Sequence, residues 1–469
     1  MAAGALTTRS AGAAATPSAG SAHAHPGPYL SGNFAPVTKE RTSTELPVRG
    51  RLPEALRGAF IRNGPNPVRT PRGNYSWFGG DGMLHIVELD AGRAAYRNRW
   101  VRTPVVAAAL GEPPPAGPLS PTGIDLSNTN TARLGPSLLS VTEDTLPYEV
   151  GLDGSTIART DLGGRLSHGL SAHAKEDPHT GEVHQIAYRV NAAPYVVWQV
   201  IDRSGAVTST VPLDIADPVM IHTCTLTPSH VLVYDLPVVF SPAAVAAGWS
   251  VPFAWDPRHR SRLGIIERAG GSVEWIDLPP LWVFHDAGSW DTPDGVTVDL
   301  VTYPRVFDGD LAGPLAGRPR LERWAIDTTR GQVTRSVLDD RPQEFPRVAP
   351  GTFGRRNRYT YSVAAERGNG FAALGLGNAV VRRDDRTGAT VRWSPGAARS
   401  TGEAVFVADP ARHHTEDGGW LLCFVFDATR GTTTFEVLDA EALSAGPVAT
   451  VELPQRVPEG FHGNWYPLA

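Results

Sequence analysis

Cysteine is almost missing from this chain: its 469 residues include only Cys224 and Cys423. Two thiols cannot form the multi-bridge framework that staples small secreted domains, and so sparse a set suits a reducing cytoplasm. Basic blocks are missing too. The formal net charge is -5, with no run of Lys and Arg, so the electrostatic footprint that nucleic acid requires is absent. No basic segment followed by an apolar one opens the chain, which argues against a secretory signal.

Long apolar runs are also lacking. The longest stretch free of both charged residues and histidine, Leu236 to Trp255, is interrupted by Pro237, Pro242 and Pro252, and a lipid-exposed helix tolerates such breaks poorly. The stretch reads as a buried loop with short helical pieces. The competing reading is an apolar mouth that dips into a membrane to collect a lipid-like substrate, which would add peripheral membrane contact to a cytoplasmic protein. Because monomers seldom expose large apolar patches without a function, the first reading is preferred.

Helical periodicity is nearly absent, while Gly and Pro, with 49 and 41 copies, punctuate the chain evenly. An apolar strand, an Asp-containing turn with Gly and a second strand recur. Examples are Val87 to Gly92, Val200 to Gly205, Ala325 to Gly331, Arg383 to Gly388 and Phe426 to Gly431. Asp and Gly supply the backbone conformations of tight hairpins. Val231 to Tyr234 and Trp420 to Phe426 read as short buried strands. Repeated hairpins over most of the chain predict an all-β fold. A β-propeller fits best because its radial sheets hide their edges; a pair of large β-sandwiches is the alternative. The repeats are too irregular to count blades. A length prior of about 150 residues per domain would give three domains, but closed β architectures often break it. Residues 1–28, rich in Ala, Gly, Ser and Thr, read as a disordered leader, and 29–469 as one domain.

Of the 14 histidines, ten carry no special signal. His23, His25, His179, His184, His230, His259, His413 and His414 sit in polar or loop-like company. His85 and His168 also read as ordinary structural residues. His173, His222, His285 and His462 differ. Their contexts are Ser-Ala-His173-Ala-Lys, Met-Ile-His222-Thr, Val-Phe-His285-Asp and Gly-Phe-His462-Gly. Only a fold that brings distant strands to one axis could make them converge. If they do, they form an all-imidazole metal site. No cysteine cluster and no His-Glu-x-x-His pair accompanies them, which argues against zinc.

Several longer segments carry a family resemblance. They are Leu30-Ser-Gly-Asn-Phe-Ala-Pro36, Gly58-Ala-Phe-Ile-Arg-Asn-Gly-Pro-Asn-Pro67, Trp77-Phe-Gly-Gly-Asp-Gly-Met83 and Ala172-His-Ala-Lys-Glu-Asp-Pro178. Glu344-Phe-Pro-Arg347, Gly402-Glu-Ala-Val-Phe-Val407 and Gly460-Phe-His-Gly463 complete the set. Through them the chain resembles the carotenoid cleavage oxygenases, non-haem iron enzymes that split conjugated double bonds. The resemblance runs from about residue 29 to 469. It implies a seven-bladed propeller with a cap of loops and short helices over an axial Fe(II), one per chain. The family's ligands fall on His173, His222, His285 and His462. Its three glutamates fall on Glu143, Glu344 and Glu403, which would accept the outer N–H of ligating imidazoles and fix their orientation.

The implied activity is a dioxygenase that puts dioxygen across a C=C bond of a carotenoid or apocarotenoid and yields two carbonyl products. Two features depart from the family. After the third histidine, where the family often has Asn and Glu, this chain has Asp286-Ala-Gly-Ser-Trp290. The Tyr and Lys with which the stilbene-cleaving branch holds a phenol oxygen align with Trp100 and Thr142. That exchange favours a carotenoid-type substrate over a stilbene or phenylpropenoid. Trp77, Phe78, Trp282 and Phe353 are candidates to line a polyene tunnel, although each alone is explained by core packing. More distant alternatives are a calcium-dependent propeller hydrolase, which would want oxygen ligands, and a propeller that only binds.

Overall fold

The sequence's hairpin signals are the joints of the fold. In the computed structural model, which describes residues 27–121, 123–312, 318–365 and 377–468, each of the five Asp-Gly turns joins two antiparallel strands. At the tightest turn, Ala91 and Gly92 have φ of 48° and 78° between strands Gly82–Asp90 and Arg93–Trp100. Two positive φ values in a two-residue loop match the right-handed twist of the strands they connect. Residues 1–26, with His23, His25 and most of the expected leader, lie outside the described residues.

The strands assemble into seven radial sheets. Blade 1 holds Arg41–Ser43, Gly58–Pro65, Gly82–Asp90 and Arg93–Trp100, and its innermost strand is Gly463–Pro467. Blades 2 to 6 follow in chain order, with inner strands Asn130–Leu134, Lys175–Glu176, Cys224–Leu226, Trp282–Thr292 and Gln343–Arg347. Blade 7 runs from Arg399–Thr401 to Pro447–Glu452 and takes Val48–Gly50 as its outer strand. The ring is therefore closed twice. A late strand completes the first blade, and an early strand completes the last.

Blades stack face to face, so their middle strands are buried on both sides and read as near-continuous apolar runs. Gly419–Asp427 is buried along all but its final residue. Phe60 of blade 1 meets Phe424 and Phe435 of blade 7 at ring distances of 5.4 and 5.1 Å, sealing the closure. The inner strands contact one another around the axis.

The cap consists of short pieces. Pro104–Leu110 and Pro242–Ala246 are α-helices, each with Pro in its first turn and a hydroxyl cap from Thr103 or Ser241. The stretch from Leu236 to Trp255 folds as a strand pair, Val238–Phe240 with Phe253–Trp255, around the second of these helices. Leu236, Val238, Ala244 and Phe253 are buried while Val245 is half exposed, so most of it follows the buried-loop reading. No helix among the described residues is long and apolar enough to cross a membrane.

Candidate metal centre

Four histidines reach the axis at or near the heads of inner strands. His173 lies two residues before the blade 3 strand and His222 two before that of blade 4. His285 lies inside the blade 5 strand, where the ladder slips between Val283 and Asp286, a bulge of the kind that re-aims a side chain. His462 immediately precedes the strand that closes blade 1. Their candidate ligand atoms all lie within 4.8 Å of one another. The imidazole of His173 sits 4.4, 4.9 and 4.7 Å, centre to centre, from those of His222, His285 and His462.

The donor set suits a cation. His222 and His285 each direct Nδ1 at a carboxylate, so Nδ1 carries the proton and Nε2 holds a lone pair. The two Nε2 atoms nevertheless face each other at 3.2 Å. Two acceptors at that range repel unless a positive charge lies between them. Nε2 of His173 is buried and has no hydrogen-bond partner. Nitrogens about 2.1 Å from one ion lie about 3 Å apart when adjacent and about 4.2 Å apart when opposite, close to the spacing seen here.

Three glutamates support the imidazoles. Glu143 accepts from His222 Nδ1 and, at 2.6 Å, from the Tyr188 hydroxyl. Glu344 accepts from His285 Nδ1 at 2.6 Å, from the Tyr303 hydroxyl at 3.0 Å and from the Phe345 amide. Glu403 accepts from His462 Nδ1 at 3.0 Å, from Arg347 Nε at 2.8 Å and from the Gly463 amide at 2.8 Å. Burial pushes all three carboxyls up, but the charges and hydrogen bonds around them prevail and leave each below its ordinary range. They remain ionised and fix the tautomers of their histidines. Among the described residues no carboxylate hydrogen-bonds to the ring of His173. Burial, reinforced by the neighbouring imidazoles, pushes that ring well below the ordinary histidine value, and burial lowers His462 to about 4. Neutral imidazole is the form that binds a metal.

The motif Glu344-Phe-Pro-Arg347 performs two tasks through one distortion. The strand pairing slips between Glu344 and Arg347, and Phe345 takes a φ of 53°. A non-glycine residue there stores roughly 1–3 kcal/mol of strain, and such residues cluster at functional sites. The phenyl ring lies over His285 at 5.5 Å and meets His462 edge-on at 5.3 Å.

Two cavities meet the imidazoles. The smaller, about 60 Å³, borders His222, His285 and His462 and is walled by Trp77, Phe78, Phe284, Phe345, Phe461, Tyr303, Thr129 and Val363. The larger, about 530 Å³, borders His173, His285 and His462 and mixes apolar wall with Lys175, Asp286, Arg347, Asn130 and Asn464. Asp286, at the departure from the family pattern, pairs with Lys175 at 2.6 Å and accepts from Thr223 and Thr225. It thereby ties the His173 strand to the His285 strand.

Of the six substrate-lining candidates, Trp77 and Phe78 stand in the apolar wall. The other four lie elsewhere. Trp100 turns into its blade, packs on Met83 and Val106 and donates to the Asn66 carbonyl at 2.8 Å. Thr142 Oγ1 accepts from the Asn128 amide at 2.8 Å. Trp282 is buried edge-on to Phe284, and Phe353 faces His179. The ladder slip between Val283 and Asp286 breaks the strand's alternation, so Phe284 lines the cavity while Trp282 does not. Trp100 and Thr142 do not line this cavity, although Thr142 hydrogen-bonds to Thr129 of its wall. Sequence reasoning missed Phe284, Phe345 and Phe461, each adjacent to a ligand candidate or a glutamate, and adjacency was the available signal. It also missed Tyr188, Tyr303 and Arg347, of which only Arg347 lay within a noted motif.

Comparisons with known proteins agree with this geometry. The family model described as retinal pigment epithelial membrane protein matches residues 34–467. A carotenoid cleavage oxygenase of Mycobacterium tuberculosis is 38% identical, covering 94% of this chain and 97% of its own. A carotenoid 9,10(9',10')-cleavage dioxygenase of Phaseolus vulgaris is 32% identical, over 92% of this chain and 88% of its own. Among solved structures, a Pseudomonas brassicacearum lignostilbene dioxygenase superposes with a TM-score of 0.83 at 24% identity, covering 94% and 98% of the two chains. A Synechocystis apocarotenoid oxygenase variant gives 0.81 at 24% identity, over 93% and 98%. At that identity the superpositions speak for the fold alone.

Proposed function

The chain belongs to the retinal pigment epithelial membrane protein family, whose curated relatives here include carotenoid cleavage oxygenases, and on that premise we propose an Fe(II)-dependent dioxygenase that cleaves one conjugated C=C bond of a carotenoid or apocarotenoid. The observation that carries the reading is the convergence of His173, His222, His285 and His462 beside an aromatic cavity. Calcium would want oxygen ligands, and four imidazoles suit a borderline divalent ion.

Each residue has a definite task. The four histidines hold one iron per chain, and Glu143, Glu344 and Glu403 keep their lone pairs aimed inward. Bound there, the iron supplies a centre at which dioxygen and an electron-rich alkene can exchange electrons. Trp77, Phe78, Phe284, Phe345 and Phe461 bind the polyene by apolar contact and exclude water from the reacting bond. Phe345 and Phe284 flank His285 and His222, and the scissile double bond would lie against them. The four histidines would be the protein's ligands to the ion, and the alkene itself would supply the electrons for its cleavage. No organic cofactor is needed. Exposed Val245 and Val105 on the cap helices support peripheral contact with a lipid surface from which such a substrate is drawn. The two buried thiols suit a reducing cytoplasm.

The test has two parts. Protein reconstituted anaerobically should hold about one iron per chain. Incubated in air with β-carotene, apocarotenals and a hydroxystilbene, it should convert a polyene to two carbonyl products, identified by mass spectrometry. Turnover of the stilbene alone would move the substrate to the aryl-alkene class. No iron uptake would leave a propeller that only binds.

A further inference from the structure

The three supporting carboxylates are not alike. Glu143 and Glu344 each take their second side-chain donor from a neutral phenol, Tyr188 and Tyr303. Glu403 takes its second from a guanidinium: Arg347 Nε donates at 2.8 Å, and Nη2 reaches the Gly463 carbonyl at 3.0 Å. The Gly463 amide returns a bond to Glu403 at 2.8 Å, so Arg347 and Glu403 bracket the backbone of one residue, Gly463, beside His462.

The asymmetry has an electrostatic consequence. A divalent ion contributes two positive charges, the four imidazoles none, and the three carboxylates three negative ones. Arg347 adds one positive charge, and the sum is zero. In a buried site an uncompensated charge is expensive, so neutrality matters more there than at a surface. Other charges nearby largely cancel. Lys175 pairs with Asp286 at 2.6 Å, and Glu459 is opposed by Arg62. The nearby buried acid Asp144 is pushed up to about 7 by burial and by Glu143, a shift toward its neutral form.

We propose that Arg347 matches the charge of the centre to a divalent ion, making the trivalent ion the charged and disfavoured state. The proposal rests on the metal reading above. Arg347 touches neither substrate nor ligand ring in this role. It acts through Glu403, as a positioning residue whose charge counts as much as its hydrogen bond.

Four variants test this on iron-loaded full-length protein at about pH 6, with the Fe(III)/Fe(II) midpoint potential as the readout. Arg347→Gln leaves one surplus negative charge beside Fe(II), so the potential should fall and ferric iron should accumulate in air, seen by electron paramagnetic resonance. Glu403→Gln leaves a surplus positive charge, so the potential should rise. The double variant restores neutrality and should return toward the wild-type value. Arg347→Lys keeps the charge and should stay near it. If the two single variants shift the potential in the same direction, or the double variant lies beyond both, the charge match is overturned and Arg347 is structural only. Wild-type protein that takes up no Fe(II) defeats the metal reading itself, whereas uptake with potentials indifferent to Arg347→Gln defeats the charge match alone. Should Arg347→Gln fail to fold, the isosteric Glu403→Gln and the double variant still decide the matter by the sign and the recovery of the shift.

Discussion

Replacing Tyr188 with Phe removes one oxygen and keeps the ring, so it isolates a single hydrogen bond. The Tyr188 hydroxyl donates to Glu143 Oε2 at 2.6 Å, and both residues are buried. Burial holds the phenol well above its ordinary value, so it stays a donor at every working pH. The ring packs edge-on to Phe253 at 6.0 Å, and Phe preserves that contact. What is lost is a bond to a charged acceptor in a dry site, about 1.5–3 kcal/mol. Glu143 then grips the Nδ1 proton of His222 with only part of its solvation. If the whole loss falls on the metal-bound state, affinity for a divalent ion drops about 10- to 150-fold, the range expected for a residue that orients a ligand. Competition against a chromophoric chelator measures it directly. Tyr148→Phe is the control, because that hydroxyl bonds Asp125 at 2.5 Å and no residue of the metal centre. A Tyr188→Phe affinity within about threefold of wild type would refute the claim that Glu143 is held in place by its second donor.

His222→Ala should abolish iron retention and turnover together; elemental analysis showing one iron per chain in that variant would remove His222 from the ligand set. Phe435→Ala opens the seam between blades 7 and 1, where the ring is fully buried against Phe60 and Phe424. A cost of about 3–5 kcal/mol is expected, read as a lowered guanidinium midpoint, and an unchanged midpoint would contradict the seam's role. His184 is buried, its nearest charged partner being Glu182 at 3.7 Å from Nε2, and burial outweighs that carboxylate and lowers it from 6.5 to about 4. The unfolded chain therefore binds the extra proton first. Stability should fall as pH drops from about 6.5 to 4, by about 3 kcal/mol from this group. His184→Gln should flatten that slope, and an identical slope in the variant would show that His184 does not carry it.

Much of the architecture was legible because hairpin chemistry is local. Asp90-Ala-Gly92 specifies its turn within three residues, and the same holds for the turn ending at Gly431. The number of blades was not legible from the repeats, because the two closing strands, Val48–Gly50 and Gly463–Pro467, pair with partners some four hundred residues away. The four histidines and three glutamates stood out through motif context and come together on the axis. Trp100, Thr142, Trp282 and Phe353 are absent from the cavity wall: Trp100 packs inside its own blade, Thr142 and Phe353 lie outside the strands, where no period-two pattern sets a side chain's direction, and the ladder slip after Val283 breaks the alternation that would pair Trp282 with Phe284. Tyr188 and Tyr303 lie in ordinary-looking strands, 45 and 41 residues from their carboxylates. No pattern short enough to read from one sequence reports such a pairing.

The double closure of the ring bears on how the protein is made. His462 is the last of the four imidazoles to leave the ribosome, and it immediately precedes the strand that locks onto Gly58–Pro65. A nascent chain can stack its earlier blades and bring His173, His222 and His285 near one another, yet the fourth corner arrives only with that lock. Completion of the four-histidine cluster and closure of the ring thus become a single event.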